Sequence, residues 1–166
     1  MTPVMPESLF IIFDSLLATP LAVSLLIKGF SEEQLRHRNS PDEFSALEFL
    51  CHLRDIEVQG YSQRIRKIVE ENQPSLPDID GGRLAIERDH NHQDANEALE
   101  QLTRARASNI EILRGLSETQ MNREGTLEGV GTVSLKKLVQ MMLEHDEGHV
   151  SELQTIRRRI VRETCG

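Results

Sequence analysis

Residues 143–149 read Leu-Glu-His-Asp-Glu-Gly-His and lie within the last long helical pattern of the chain. Histidines four residues apart stand one above the other on a helix, with Cβ atoms about 5–6 Å apart. His145 and His149 continue the apolar stripe of this helix, so both are predicted to face the interior. The stripe is formed by Leu138, Met142, Leu153, Ile156 and Ile160. The pair is either two core histidines bonded to backbone or carboxylates, or two ligands of one metal ion.

Length and composition indicate a globular protein of one domain over residues 1–166. The formal net charge of -8 and the pI of about 5.3 argue against an exposed nucleic-acid surface. The two cysteines, Cys51 and Cys165, form no close Cys-x-x-Cys pair, which argues against a disulfide framework or a thiolate metal cluster and favours the reducing cytoplasm.

One strongly apolar segment covers residues 9–27. It lacks the basic start of a signal peptide, and Asp14, Ser15 and Pro20 argue against a membrane span. We therefore predict a helix packed into the protein, with Pro20 kinking it.

Periodicity predicts four long helices. Their expected ranges are 7–28, about 45–71, about 94–114 and about 134–162. Ser45 and Glu48 match a capping box at the start of the second helix, and Ser134 is expected to cap the fourth.

The segments between these helices differ in character. Residues 72–93 contain prolines and glycines without sustained periodicity, so we predict a long crossing loop that helps to cover the functional site. Residues 126–127 and 130–133 are predicted to pair as a short hairpin before the fourth helix.

A weak internal repeat relates the two halves of the chain. Residues 29–35 read Gly-Phe-Ser-Glu-Glu-Gln-Leu, and residues 115–121 read Gly-Leu-Ser-Glu-Thr-Gln-Met. Each segment follows a helix and precedes the cap of another long helix. Two such halves predict an all-α, up-and-down four-helix bundle. The second and fourth helices would then be equivalent, which brings His52 within reach of His145 and His149.

Residues 44–57, Phe-Ser-Ala-Leu-Glu-Phe-Leu-Cys-His-Leu-Arg-Asp-Ile-Glu, resemble the second-helix motif of the DinB/YfiT-like superfamily. That motif usually reads Trp-Ser-x-x-Glu-x-x-x-His-Leu-x-Asp-x-Glu, and the spacing of His145 and His149 resembles the closing His-x-x-x-His of the same family. The resemblance implies a four-helix bundle in which His52, His145 and His149 hold a divalent metal, commonly nickel or zinc. It also implies use of a low-molecular-weight thiol by some members. Phe44 replaces the usual Trp, which bears on packing at the helix entrance.

Several other polar residues have a functional and a structural interpretation. Glu48 can accept a hydrogen bond from His52, or it can serve only as a helix cap. Asp146 and Glu147 are predicted to lie on the solvated face. Cys51 lies about 100° of helix rotation from His52, so it is predicted to be a core residue.

Two histidines of the predicted crossing loop and a run of arginines lie outside the set His52, His145 and His149. His90 and His92 could approach as extra ligands, but exposed loop positions are the better prediction. The basic run at 157–159 is predicted to complement the dipole near a helix C-terminus rather than to contact nucleic acid.

Three neutral imidazoles leave a coordination position for water or substrate, which is typical of catalytic metal sites. The first hypothesis is a metal-dependent hydrolase or a transferase that uses a small thiol. The alternatives are a non-catalytic metal-binding or stress-related bundle, and an interaction module that retains unused histidines. Apolar residues over much of the first two helices also predict a homodimer, and no membrane partner is expected.

Overall fold

The structure, a computed structural model that describes residues 6–165, contains all four predicted long helices. The helical elements are α1 (Glu7–Ile27), α2 (Glu32–Arg36), α3 (Ala46–Asp55), α4 (Ser62–Glu70), α5 (Gly81–Glu87), α6 (Ala95–Arg114), α7 (Glu118–Met121) and α8 (Leu135–Cys165). A π-helix, Ile56–Tyr61, joins α3 and α4 into the continuous second helix. The predicted all-α four-helix bundle is confirmed.

The internal repeat reappears as two short helices with identical caps. In α2, Gln34 N donates to Ser31 Oγ at 3.1 Å and Ser31 N donates to Gln34 Oε1 at 2.9 Å. In α7, Ser117 and Gln120 make the same two bonds at 3.2 and 2.9 Å. The equivalent residues thus form equivalent reciprocal caps, as the sequence repeat predicts.

The packing partners of the long helices determine where the connections run. Helix α1 packs against α6 and α8, and α3 packs against the same two helices. The first and second long helices therefore lie on a diagonal of the bundle. The connection between these two helices must therefore cross one end of the bundle.

The interior has a polar layer between two apolar clusters. One cluster includes Phe13, Leu16, Ile65, Ile110 and Met142. The other includes Val23, Leu50, Ala98, Leu102 and Leu153. Along α6 and α8, the residues between these clusters include Arg106, Asp146 and the histidine pair. Ionisable and polar side chains are therefore concentrated in this layer.

Helix α1 continues through Pro20 as an α-helix and is only partly buried. Phe13 and Leu16 are enclosed, whereas Ile11 and Leu21 are 62% and 63% exposed. The prediction of a packed helix holds for one face only. Within residues 6–165, α1 is the one helix long and apolar enough to span a membrane by length and composition.

The crossing segment, residues 72–93, is more ordered than the predicted loop. It contains strand β1 (Ser75–Leu76), helix α5 and a 3₁₀ turn at His90–His92. Asp80 caps α5 by accepting from Arg83 N at 2.9 Å. Helix α5 has one buried residue, Ala85, so it lacks the apolar periodicity by which longer helices are recognised.

The predicted hairpin is confirmed and belongs to a small sheet. Strands β2 (Glu124–Leu127) and β3 (Gly131–Ser134) pair antiparallel, with Thr126 opposite Thr132. Strand β1 adds to β2 in parallel, a pairing that the sequence did not indicate. Ser134 then accepts from Lys137 N at 3.1 Å and caps α8 as predicted.

Candidate metal centre

The structure brings the three predicted histidines together. His52 projects from α3, and His145 and His149 project from adjacent turns of α8. His145 Nε2 lies 3.2 Å from His52 Nε2 and 3.2 Å from His149 Nε2. One potential ligand atom from each residue lies within 4.8 Å of the other two.

This spacing fits the chemistry of a metal site. Nitrogens bound to zinc at 2.0–2.1 Å with tetrahedral angles stand about 3.3–3.4 Å apart. The two Nε2–Nε2 distances of 3.2 Å are close to that value. Imidazole is a suitable ligand for zinc and nickel. The three residues therefore fit a divalent cation in both ligand type and spacing.

Burial keeps two of the imidazoles neutral. It lowers the pKa of His52 to about 4, with further lowering by His149. Burial likewise lowers the pKa of His145 to about 3, helped by His149, His52 and Arg106. Neutral imidazole is the form that binds metal, so protons compete weakly at these two residues near neutral pH.

The other ring nitrogens have contrasting surroundings. His149 Nδ1 lies 2.6 Å from Glu152 Oε2, so its N–H can donate to that carboxylate and orient the ring. Glu152 was not among the site residues predicted from the sequence, although a carboxylate three residues after a histidine on a helix lies within reach of its ring. His52 Nδ1 is buried and has no hydrogen-bond partner within residues 6–165.

The crossing segment passes over His52, as the covering-loop prediction requires. A Cβ built on Gly81 would lie 2.4 Å from His52 Cε1 and 2.5 Å from His52 Nδ1. No side chain fits between this backbone and the ring. Gly81 therefore permits the close approach of α5 to the metal centre.

The sequence profile described as the DinB superfamily matches residues 16–153. The chain belongs to the DinB superfamily. No curated protein matches this DinB chain in sequence. Among solved structures it is similar to YfiT from Bacillus subtilis, with a TM-score of 0.87, 17% identity, and coverage of 96% of this chain and 91% of that chain. YfiT is described as a probable metal-dependent hydrolase with an unusual four-helix bundle topology. At 17% identity, this similarity establishes that the two proteins share a fold.

The DinB chain also has a buried ionic network beside the histidines. Arg106 Nη2 donates to Glu57 Oε2 at 2.8 Å and to Asp146 Oδ1 at 3.1 Å. Arg106 Nη1 donates to Asp146 Oδ2 at 2.6 Å. All three side chains are at most 2% exposed. The carboxylates, led by Glu57, outweigh the effect of burial and raise the pKa of Arg106.

The predicted solvated position of Asp146 is therefore wrong, while Glu147 is exposed as expected. The prediction assumed that α8 buries one face. In the bundle α8 packs against both α1 and α3, and Arg106 of α6 reaches Asp146 to neutralise its charge. The position next to a candidate ligand therefore carries a buried ion pair.

Further bonds connect this network to two other elements. Asn109 Nδ2 donates to Glu57 Oε1 at 2.7 Å and to Ser62 Oγ at 2.9 Å. Arg106 Nη1 also donates to the Leu16 carbonyl at 2.7 Å. That carbonyl lacks its usual helical donor because residue 20 is proline. The network thus joins α1, the π-helix, α6 and α8 at the level of the metal centre.

Glu48 is a helix cap and not a partner of His52. Its N–H donates to Ser45 Oγ at 3.1 Å, and Ser45 N donates to Glu48 Oε2 at 2.8 Å. Arg38 Nε also donates to Glu48 Oε2 at 2.8 Å. The capping prediction is confirmed. Phe44, in place of the usual Trp, packs against His52 with ring centroids 5.8 Å apart.

Cys51 is fully buried, as predicted for a core residue. Burial raises the pKa of its thiol to about 11, so the thiolate is scarce at neutral pH. The structure thus gives Cys51 no features of a nucleophile.

The predicted exposure of the two loop histidines is correct for one of them and wrong for the other. His92 is exposed and pairs with Asp89, as predicted for a surface residue. His90 is 0% exposed, and its Nε2 lies 2.8 Å from Asp55 Oδ2. Its predicted exposure is wrong because Asp55, 35 positions earlier, provides a buried partner. Neither residue joins the three-histidine cluster within the described part of the chain.

The basic run at 157–159 does not cap its own helix, because α8 continues to Cys165. Arg157 Nη1 instead donates to the carbonyls of Leu26 and Lys28 at 2.8 and 3.0 Å, at the end of α1. Arg159 pairs with Glu43. The run therefore stabilises contacts between elements.

A cleft of about 450 Å³ reaches the metal centre from the surface. His149 and Glu152 are part of its wall, and Phe44, Phe49 and Ile156 provide apolar lining. Three larger clefts, of about 480, 680 and 740 Å³, include none of the three histidines. The smaller cleft is therefore the entrance that the site geometry supports.

Proposed function

We propose that the protein is a divalent-metal-dependent enzyme in which His52, His145 and His149 hold the ion. The proposal rests on the close approach of three Nε2 atoms from two helices, with two Nε2–Nε2 distances of 3.2 Å. Nickel and zinc are the proposed metals because both accept imidazole ligands. The cytoplasm is the proposed compartment, since a reducing environment suits Cys51 and Cys165, which are both free thiols.

Each surrounding residue has a definite task in this proposal. Glu152 accepts from His149 Nδ1 and fixes the orientation of that ring. Gly81 lets the crossing segment shield His52 from water. Phe44 and Phe49 supply apolar surface for a substrate in the cleft next to His149. When bound, the metal supplies Lewis acidity and lowers the pKa of water or a thiol.

The reaction class follows from the nucleophiles available. Cys51 is buried in the core with a pKa of about 11, so its thiol is unsuited to attack a substrate. We therefore assign the nucleophile to water or to an external low-molecular-weight thiol. These correspond to hydrolase and thiol-dependent transferase activities. The description of YfiT as a probable metal-dependent hydrolase supports the first of the two.

Metal retention tests the ligand assignment. Single replacements of the three histidines by Ala should each reduce the metal content measured after dialysis against a weak chelator. Loss of one of three imidazoles removes a coordination bond that the other two cannot replace. His92→Ala is the matched control because His92 is exposed and outside the cluster. Unchanged metal content in all three variants would refute the assignment.

Spectroscopy and activity assays test whether the site is catalytic. Protein loaded with Co(II) or Ni(II) should change its visible spectrum when a small thiol is added, and His149→Ala should lose that response. Simple ester and amide probes test hydrolysis in parallel. A spectrum unaffected by thiols, together with no hydrolysis, would leave the non-catalytic metal-binding bundle as the better assignment.

A further inference from the structure

A second cleft, of about 740 Å³, has a lining unlike that of the metal entrance. Three arginines, Arg54, Arg88 and Arg104, line it together with one carboxylate, Asp55. The other lining residues are mostly amides or hydroxyls and include Gln59, Gln93, Gln101 and Ser108. None of the three histidines of the metal centre belongs to this lining. We call this feature the arginine cleft.

The single carboxylate of the arginine cleft is already saturated with donors. Asp55 is 3% exposed and accepts from Arg54 Nε at 2.8 Å. Its other oxygen lies 3.1 Å from Arg88 Nη1 and 2.8 Å from His90 Nε2. Asp55 therefore balances one guanidinium charge and fixes the directions of two guanidinium groups.

The arginines retain donors for another partner. A guanidinium carries five N–H donors. Arg54 uses two of its nitrogens, Nε to Asp55 and Nη1 to Gln101 Oε1 at 3.2 Å. Arg88 uses one nitrogen, Nη1, to Asp55. Arg54 is 9% exposed overall, so its guanidinium is held in place by packing. Donors that are fixed in position lose little entropy when they bind an anion.

The charge of the arginine cleft is opposite to that of the whole chain. Its lining carries three positive charges and one negative charge, a net +2, whereas the chain carries -8. Arg104 has a surface partner, Glu100, which is not part of the lining. Planar guanidinium forks suit the oxygens of phosphate, and a phosphate monoester approaches two negative charges at pH 7.

We propose that the arginine cleft binds a phosphate monoester through Arg54 and Arg88, with Arg104 contributing at the rim. The ligand would bridge α3 and the crossing segment, because Arg54 belongs to α3 and Arg88 directly follows α5. Asp89, the next residue, has φ 49° and ψ 54°, a conformation that non-glycine residues rarely adopt. The chain thus turns sharply at the point where Arg88 and His90 both reach Asp55.

Calorimetric titration with phenyl phosphate, at constant ionic strength set by KCl, tests this proposal. We expect saturable binding with one ligand per chain. Arg88→Gln should weaken it by about 10- to 100-fold, the value of one charge-assisted hydrogen-bonding group. Arg88 is the better position to change, because its side chain is 36% exposed and Arg54 and His90 remain on Asp55. Benzoate, a monoanion with the same ring, should bind at least tenfold more weakly than phenyl phosphate.

Two controls separate this site from other sources of binding. Arg158→Gln changes an arginine of α8 outside the arginine cleft and should leave the affinity within twofold of the wild type. His149→Ala should also retain binding, which excludes coordination of the phosphate at the metal centre. The proposal is overturned by the absence of saturable binding, by an unchanged affinity in Arg88→Gln, by loss of binding in His149→Ala, or by equal binding of benzoate.

Discussion

Replacement of Arg106 by Met should destabilise the protein more than any single surface change. The substitution keeps an unbranched side chain but removes the positive charge between Glu57 and Asp146. It also removes the donor to the Leu16 carbonyl, whose helical donor is absent because of Pro20. Both carboxylates would then remain buried without their cationic partner.

The size of the effect follows from the burial of these groups. Loss of one partner from a buried ion pair costs about 3–5 kcal/mol, and a buried carbonyl without a donor costs about 1–3 kcal/mol. We therefore expect a loss of at least about 4 kcal/mol, against a typical total stability of about 5–15 kcal/mol. Arg104→Met is the matched control, because Arg104 lies on the same helix, is 75% exposed and pairs with Glu100. Its loss should cost less than about 1 kcal/mol.

Urea unfolding followed by circular dichroism measures both variants in the same buffer. The triple variant Arg106→Met, Glu57→Gln, Asp146→Asn removes all three charges and should recover part of the lost stability. Recovery would identify uncompensated charge, and not lost packing, as the main cost. A loss below about 1 kcal/mol in Arg106→Met, or one equal to that of Arg104→Met, would refute this account of the network.

Four further outcomes are expected. Because the folded pKa values of His52 and His145 are about 4 and about 3, below the usual 6.5, the unfolded metal-free chain binds more protons below pH 6.5. In urea titrations its free energy of unfolding should therefore be highest above pH 6.5 and decrease as the pH falls toward 4, and this decrease should be smaller in His145→Gln. A free energy of unfolding that does not change with pH would contradict this. Gly81→Ala should weaken metal affinity in chelator competition, since its Cβ would overlap His52, whereas Gly82→Ala, with only a 3.5 Å contact, should not; equal effects would contradict the close approach. Amides of the crossing segment should exchange more slowly when a ligand occupies the metal-site cleft; unchanged exchange would argue against a covering role. Light scattering should give about twice the 18.9 kDa chain mass, and Leu25→Glu on the exposed face of α1 should return it to the monomer value; a wild-type monomer would refute the dimer.

The bundle could be predicted because its signals are local and repeated. Amphipathic periodicity identifies a long helix without knowledge of its partners. The caps formed by Ser45 and by Ser134 depend on residues within the next turn, and both are present in the structure. The repeat of residues 29–35 at 115–121 then predicted which helices are equivalent. It was this equivalence that placed His52 near the histidine pair of α8.

The incorrect predictions concern pairings between distant parts of the chain. Asp146 and His90 were expected at the surface, because an ionisable residue without a visible partner is costly to bury. Their partners, Arg106 and Asp55, lie 40 and 35 positions away and belong to other elements. No local pattern connects these residues. Helix α5 was not predicted for a related reason. It contacts His52, which is distant in sequence, and it has no apolar face of its own.

The polar layer joins the stability of the fold to the electrostatics of the metal centre. Within that layer Arg106 pairs with two carboxylates, Glu57 and Asp146, and its loss would leave both without their cationic partner. Arg106 by itself would repel a cation, and it helps to lower the pKa of His145. Arg64, a second buried cation, lowers that pKa in the same direction, so both arginines favour the neutral form of His145. Burial meanwhile keeps His52 and His145 neutral and ready to coordinate. The same low-dielectric surroundings that make an unpaired carboxylate costly therefore also disfavour protonation of the two imidazoles, which leaves their nitrogens free to coordinate a metal.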